Sequence, residues 1–287
     1  MLNIYRKDIH SYFTTFTGYL FIACILLVGG IYCYINNFFY GYSSFETAIS
    51  YIPFFFVFLI PVISAGVFTD EKRQKTEQLL YTLPLTSRQI VLGKYCALLT
   101  ILFLPLSLLG IYPIVMSFFG QVNFTVAYST LFAIFLLGAA LSAICMFISS
   151  LTENIIVSAV LCFGIMFVLY QMDNFADGLT PSAKNSYIGF IVLAVALAVF
   201  IWFMTKNIYV AIIPSVIVVI ILNILYKVSL SFVAGKINLI MSNVAIFSKL
   251  DNFMNGIFDI NTLVYYLSIV ALFVLFTIYT FERKRWN

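Results

Sequence analysis

Few side chains in this 287-residue chain have the types and spacing that bond chemistry requires. Its single histidine, His10, stands alone, which suits a solvated side chain better than a ligand. Gly93-Lys94 matches the end of the phosphate-binding pattern G-x-x-x-x-G-K, but the earlier glycine would fall at position 88, which is Arg88. Cys24, Cys33, Cys96, Cys145 and Cys162 all lie in apolar runs, form no CxxC and are odd in number. They read as small buried hydrophobes. There is no HExxH, and no GxSxG with a histidine partner. The chain is therefore expected to be no enzyme, to hold no metal and to bind no cofactor of its own. What remains is charge gathered in one place. Of the 15 basic and 11 acidic side chains, eight lie in residues 69–94, TDEKRQKTEQLLYTLPLTSRQIVLGK.

The elements that position this island are set by composition. The chain is 63% hydrophobic and 9% charged, against about 25% charged for a soluble domain. So few charges cannot solvate a soluble surface, which makes the bilayer its solvent. At roughly 20 apolar residues per crossing, eight spans are expected: about 16–39, 47–68, 95–119, 127–149, 155–172, 187–205, 208–226 and 263–281. The first run is too long for a signal-peptide core, and no small-residue cleavage site follows. With both termini and the island inside, 11 of the 15 basic residues fall on the inner side. Those left outside are Lys184, Lys227, Lys236 and Lys249. The expected location is the bacterial plasma membrane, with both termini cytoplasmic.

The segments between spans have characters of their own. Residues 1–15 place Leu2, Tyr5, Ile9, Tyr12 and Phe16 at helical spacing, opposite Arg6, Lys7 and Asp8. That predicts an amphipathic helix on the inner membrane surface. Residues 173–186 read as a polar outer loop. Residues 227–262 form a long outer segment whose apolar stretch, Ile237 to Phe247, is too short to cross. It reads as an interfacial or re-entrant helix, either a gate or a plain amphipathic cover. Asp259, Asn261 and Thr262 supply caps for the last span, and its basic end with Trp286 suits an inner interface.

Within the island, Thr69-Asp70 suits a helix N-terminus, and Pro84 ends the helix. Thr86 or Ser87 suits the cap of a second helix leading into the third span. A short polar helix between two spans fits a groove on a soluble partner. It equally fits an ordinary inner loop. No Asp, Glu, Lys or Arg lies near the middle of any expected span, which counts against a proton-driven carrier. Sodium coupling through carbonyls and hydroxyls stays open. Pro61, Pro105, Pro113 and Pro214 mark sites where spans kink readily.

The stretch EKRQKTEQLLYTLPLTSRQIVLGKY resembles the signature of ABC-2 type permeases, the membrane subunits of ATP-driven transporters. The matching residues are Glu71, Arg73, Thr76, Leu79, Leu80, Thr82, Pro84, Ile90, Gly93 and Lys94. Lys75 replaces the family glycine, Gln78 with Glu77 beside it stands at the family glutamate, and the family serine is shifted to Thr86 or Ser87. The C-terminal FSKLDNFMNGIFDINTLVYYLSIVALFVLFTIYTFERKRW resembles the gliding-motility type branch, and the turn Ser150-Leu151-Thr152-Glu153-Asn154 fits as well. The resemblance spans about 1–172 and 245–287.

It implies an all-α polytopic membrane protein that is one transmembrane domain, 1–287. Its parts would be an interfacial helix (1–15), a coupling segment (69–94), a six-span core with an inserted hairpin (187–226), and an extracellular gate-like segment (227–262). It implies an exporter's permease subunit paired with an identical or paralogous permease. Two cytosolic ATPase subunits carrying ATP and Mg would dock on it, with room for an extra extracytoplasmic subunit. Membrane lipids would surround it, and nucleic acid has no part. The implied ATPase contacts are Glu71, Arg73, Thr76, Glu77, Leu80 and Pro84, with a second contact at Thr152 and Glu153. The competing readings are an ATP-independent carrier or channel, and a membrane anchor or assembly subunit.

Overall fold

Long uncharged apolar runs leave the backbone only itself to bond with in a bilayer, so the chain forms helix after helix. The computed structural model describes residues 1–42, 44–74, 86–178, 189 and 236–286. Six helices among them are long and apolar enough to cross a membrane: Phe16–Phe39, Phe45–Arg73, Ser87–Met116, Phe124–Leu151, Ile155–Ala176 and Ile260–Arg283. There is no strand among the described residues. The chain is an all-α polytopic membrane protein. The spans expected at 187–205 and 208–226 lie outside the described residues.

The described residues divide into two compact units, Met1–Phe167 with Phe247–Asn287, and Val168–Ile246. In the first, α1 (Leu2–Thr14) precedes α2 (Phe16–Cys33), which ends in a π-turn, Tyr34–Phe39. The second span is built from α3 (Phe45–Ile49), α4 (Ile52–Ser64) and α5 (Gly66–Arg73). Then come α6 (Ser87–Leu109), α7 (Tyr112–Met116), α8 (Phe124–Leu151), α9 (Ile155–Gly178), and finally α10 (Lys236–Val244), α11 (Asp251–Met254) and α12 (Ile260–Trp286). α9 begins in the first unit and ends in the second.

Helix starts follow their cap residues. Thr86 and Gln89 form a reciprocal capping box on α6. Asn123 accepts from Val126 N–H at the head of α8. Asp259, just before α12, accepts from Asn261 N–H at 2.9 Å and from the Thr262 hydroxyl at 2.8 Å. Thr69 behaves differently from its predicted capping role. The helix runs through it to Arg73, and its hydroxyl donates back to Ala65 O at 2.6 Å. A buried threonine inside a helix satisfies itself on the preceding turn and starts nothing new.

α8 is the hub of the first unit, with 83% of its apolar window buried, while that of α9 is 17% buried. α12, α4 and α6 all pack on α8. Gly138 makes this approach possible: a Cβ there would lie 2.8 Å from Leu102 and 3.1 Å from Phe56. Small residues let membrane helices come close enough for dispersion to hold them, because lipid offers no hydrophobic drive between helices. Tyr95 crosses the same seam, its hydroxyl donating to Ala139 O at 3.0 Å.

In the second unit α10 is a nine-residue helix, too short to cross a bilayer. Asn238 donates to Ala176 O at 2.7 Å.

Candidate functional site

The charged side chains of the island are drawn together where α1, α5 and α6 meet. Lys94, on the second turn of α6, is 2% exposed at its side chain. A cation so deep must be paired, because its desolvation costs several kcal/mol otherwise. Its ammonium sits 2.9 Å from Glu71 Oε1 and 3.5 Å from Asp8 Oδ2. It also donates to Val67 O at 3.0 Å and lies 5.3 Å over the Phe68 ring. Lys7 donates to the same Glu71 oxygen at 2.9 Å from the solvent side. Two lysines and two carboxylates thus balance, joining three elements distant in sequence.

Titration follows this geometry. Burial pushes the Asp8 carboxyl above its ordinary range; Lys94 opposes the rise and Glu71 adds to it. Burial works against the Lys7 ammonium, but the hydrogen bond and charge of Glu71 outweigh it and hold its pKa above the ordinary lysine value.

α1 is seated by the same corner. A Cβ on Gly93 would come within 3.2 Å of Met1 O and 3.4 Å of the Ile4 Cβ. The Tyr5 hydroxyl lies 3.1 Å from Thr100 Oγ1, and Tyr12 donates to Ile63 O at 3.1 Å. The inward face of α1 is therefore centred on Ile4 and Asp8. Asp8 departs from the polar side predicted for it, because its partner, Lys94, stands on a neighbouring helix, while Leu2 and Phe16 stay exposed.

Lys72 makes the second fixture. It donates to the carbonyls of Ser149, Ser150 and Thr152 at 3.3, 2.7 and 2.6 Å. These are the orphan carbonyls at the C-terminus of α8, where a cation also meets the negative end of the helix dipole. Ser149 adds a bridge, its hydroxyl accepting from Phe68 N–H and donating to Ala65 O.

The residues expected to touch a partner are therefore distributed unevenly. Glu71 and Thr152 are buried, the first in the ion cluster and the second beneath Lys72. Arg73 and Glu153 are exposed. Thr76, Glu77, Leu80 and Pro84 lie outside the described residues. Asp8, Lys7 and Lys72 were not singled out from sequence. The charge run Arg6-Lys7-Asp8 in α1 was the signal available for the first two.

No curated protein matches the chain. A family model described as ABC-2 family transporter protein matches residues 3–209. That stretch contains Asp8, Glu71, Lys72, Gly93 and Lys94, and ends before the C-terminal part that resembles the gliding-motility branch. The chain belongs to the ABC-2 family of transporter proteins, as a multi-pass permease of the ATP-binding cassette type.

Proposed function

We propose that this chain is the permease subunit of an exporter, and that residues 75–85 dock a separate cytosolic ATPase. One observation carries the reading: both ends of that segment are fixed. On one side Glu71 is held by Lys94 and Lys7, and Lys72 by the end of α8. On the other, Thr86 caps α6 eight residues before Lys94. A partner that pushes the segment pushes α1, α5, α6 and α8 with it. At about 1.5 Å per residue, α6 starts roughly 10 Å before Lys94 along its axis.

In this reading Arg73, Thr76, Glu77, Leu80 and Pro84 meet the ATPase, and Glu153, in the turn held by Lys72, adds a second contact. Glu71 and Thr152 position these groups from within. Two such permeases, identical or paralogous, work with two ATPases, which bind the ATP and Mg. The Lys94 corner and both termini then face the cytosol of a bacterial plasma membrane. Segment 227–262 lies on the opposite side as a gate.

Deleting residues 75–83 tests the docking. This deletion leaves Glu71, Lys72 and the Thr86 cap in place, so the body is expected to insert and melt as before. An ABC ATPase that copurifies with the intact chain should be lost. Full copurification with the shortened chain would overturn the docking role. ATP-independent transport by the purified chain in liposomes would favour the carrier reading.

A further inference from the structure

At the end of the spans far from Lys94, two connections present aromatic rings and carry no charge of their own. There is no Asp, Glu, Lys or Arg between Lys94 and Glu153, a stretch that includes the whole connection from α7 to α8. The connection from α2 to α3 is likewise uncharged until Glu46. Connections in water normally carry polar and charged residues. Here Phe118 is 80% exposed and Phe119 78%, and Phe39, Tyr40 and Tyr42 are also exposed. Phe38 and Phe119 meet edge to face at 5.9 Å, so the two connections touch.

Several backbone N–H groups of these connections are also satisfied from within. Phe118, Phe119 and Gly120 donate to Val115 O and Met116 O at 2.9–3.2 Å. Tyr40 and Tyr42 donate to Ile35 O and Asn36 O. Asn37 donates to Tyr42 O at 2.8 Å and to Ser44 O at 3.0 Å. Turns that need little water for their amides can enter a region where water is scarce.

Depth fixes which region that is. A Cβ on Gly29 of α2 would meet Leu109 of α6, 13 residues after Phe16 and 15 after Lys94, so the start of α2 and Lys94 stand at nearly one level. From Phe16 to Phe38 is roughly 33 Å, and from Lys94 to Phe118 roughly 36 Å, at 1.5 Å per residue. Both exceed a hydrocarbon core of about 30 Å by only a few ångströms. Two separate helices thus deliver their aromatic ends to the headgroup level, where amphipathic rings are favoured.

We propose that residues 38–42 and 117–120 form one lipid-binding rim, seated in the headgroup–acyl boundary of the far leaflet and continuous with the lipid-facing spans. Its partner is the lipid surface itself. With no charge to read a headgroup, the rim binds neutral and anionic lipid alike. This inference stands apart from the docking reading and does not need it.

The test uses the full-length chain in lipid nanodiscs with both native tryptophans replaced, W202F and W286F. F118W and F39W are then introduced singly, one on each connection. Each reporter is expected to emit to the blue of free tryptophan. Lipids brominated high on the acyl chain should quench it strongly, and aqueous iodide several-fold less than free tryptophan. Neutral and anionic discs should give the same result. Quenching by iodide at the level of free tryptophan, with none by brominated lipid, would place the rim in water and overturn the proposal. So would protection from both quenchers, which would mean a protein cover such as a second copy. Each aromatic-for-aromatic substitution reports on its own connection, so a folding fault in one leaves the other decisive.

Discussion

The ammonium of Lys94 and the carboxylate of Glu71 meet at 2.9 Å, across the whole of the segment that separates the second and third spans. Both residues are buried, and both had matched the family pattern without any indication that they were partners. Their contact explains why a chain so poor in charge keeps these two where it does.

Removing one partner should be costly. Lys94→Met leaves Glu71 and Asp8 facing each other without the buried ammonium between them, the half-exposed Lys7 remaining on the solvent side. Losing half of a buried pair destabilises by about 3–5 kcal/mol. We expect a clear fall in the melting temperature of the detergent-purified protein. The double variant Lys94→Met/Glu71→Gln should recover part of it, and strict additivity would contradict the pairing.

Gly93 should tolerate little more than a methyl group. Gly93→Ala gains about 0.8–1 kcal/mol of helix propensity, set against a contact at 3.2 Å with Met1 O. The net change should be small. Gly93→Leu overpacks by about 1–3 kcal/mol and should lift α1 away. Faster hydrogen exchange over residues 2–14 would register this, and unchanged exchange would refute the seat.

Lys72→Met should loosen the turn after α8. Three carbonyls lose a charged donor, and hydrogen bonds to charged groups contribute about 1.5–3 kcal/mol. We expect a loss of about 2 kcal/mol with faster exchange at Thr152 to Asn154. A change confined to residues before Arg73 would speak against the fixture.

Asp8 should make stability depend on mild acid. Its carboxyl is held above 3.8 in the folded chain, chiefly by burial. Between the raised value and 3.8 the folded state binds a proton that the unfolded state does not. The Asp8 contribution to stability therefore rises as pH falls through that window. Asp8→Asn should remove this contribution, seen as a flatter dependence of melting temperature on pH. An identical dependence in both proteins would count against it.

Much of the architecture was legible because a bilayer imposes a length on every crossing. The expected span 16–39 coincides with Phe16–Phe39, and five others overlap their helices with ends differing by up to eight residues. The third differs most. Hydropathy begins it at 95, and the helix expected from a Thr86 or Ser87 cap starts at Ser87 and runs into it without a break. Hydropathy does not see neighbours on other helices, and that hid the ion cluster. Local periodicity put Asp8 on the polar face of α1, but its partner lies 86 residues away on α6. Lys72 lay in an island whose local pattern named no partner for it, yet it reaches carbonyls 77–80 residues on. Thr69 had the chemistry of a cap and the position of a helix interior, and position prevailed.

The Lys94–Glu71 contact also has a meaning in polymer terms. It closes a ring over the 22 residues between them. Bringing the ends of such a ring together costs roughly 3 kcal/mol of chain entropy, and doubling its length would add only about 0.6 kcal/mol. The membrane body bears that cost before any partner arrives. The sequence and even the length of the ring between Arg73 and Thr86 can therefore drift with little penalty to the spans. On the docking reading proposed above, such a permease exchanges one ATPase for another by rewriting that stretch alone.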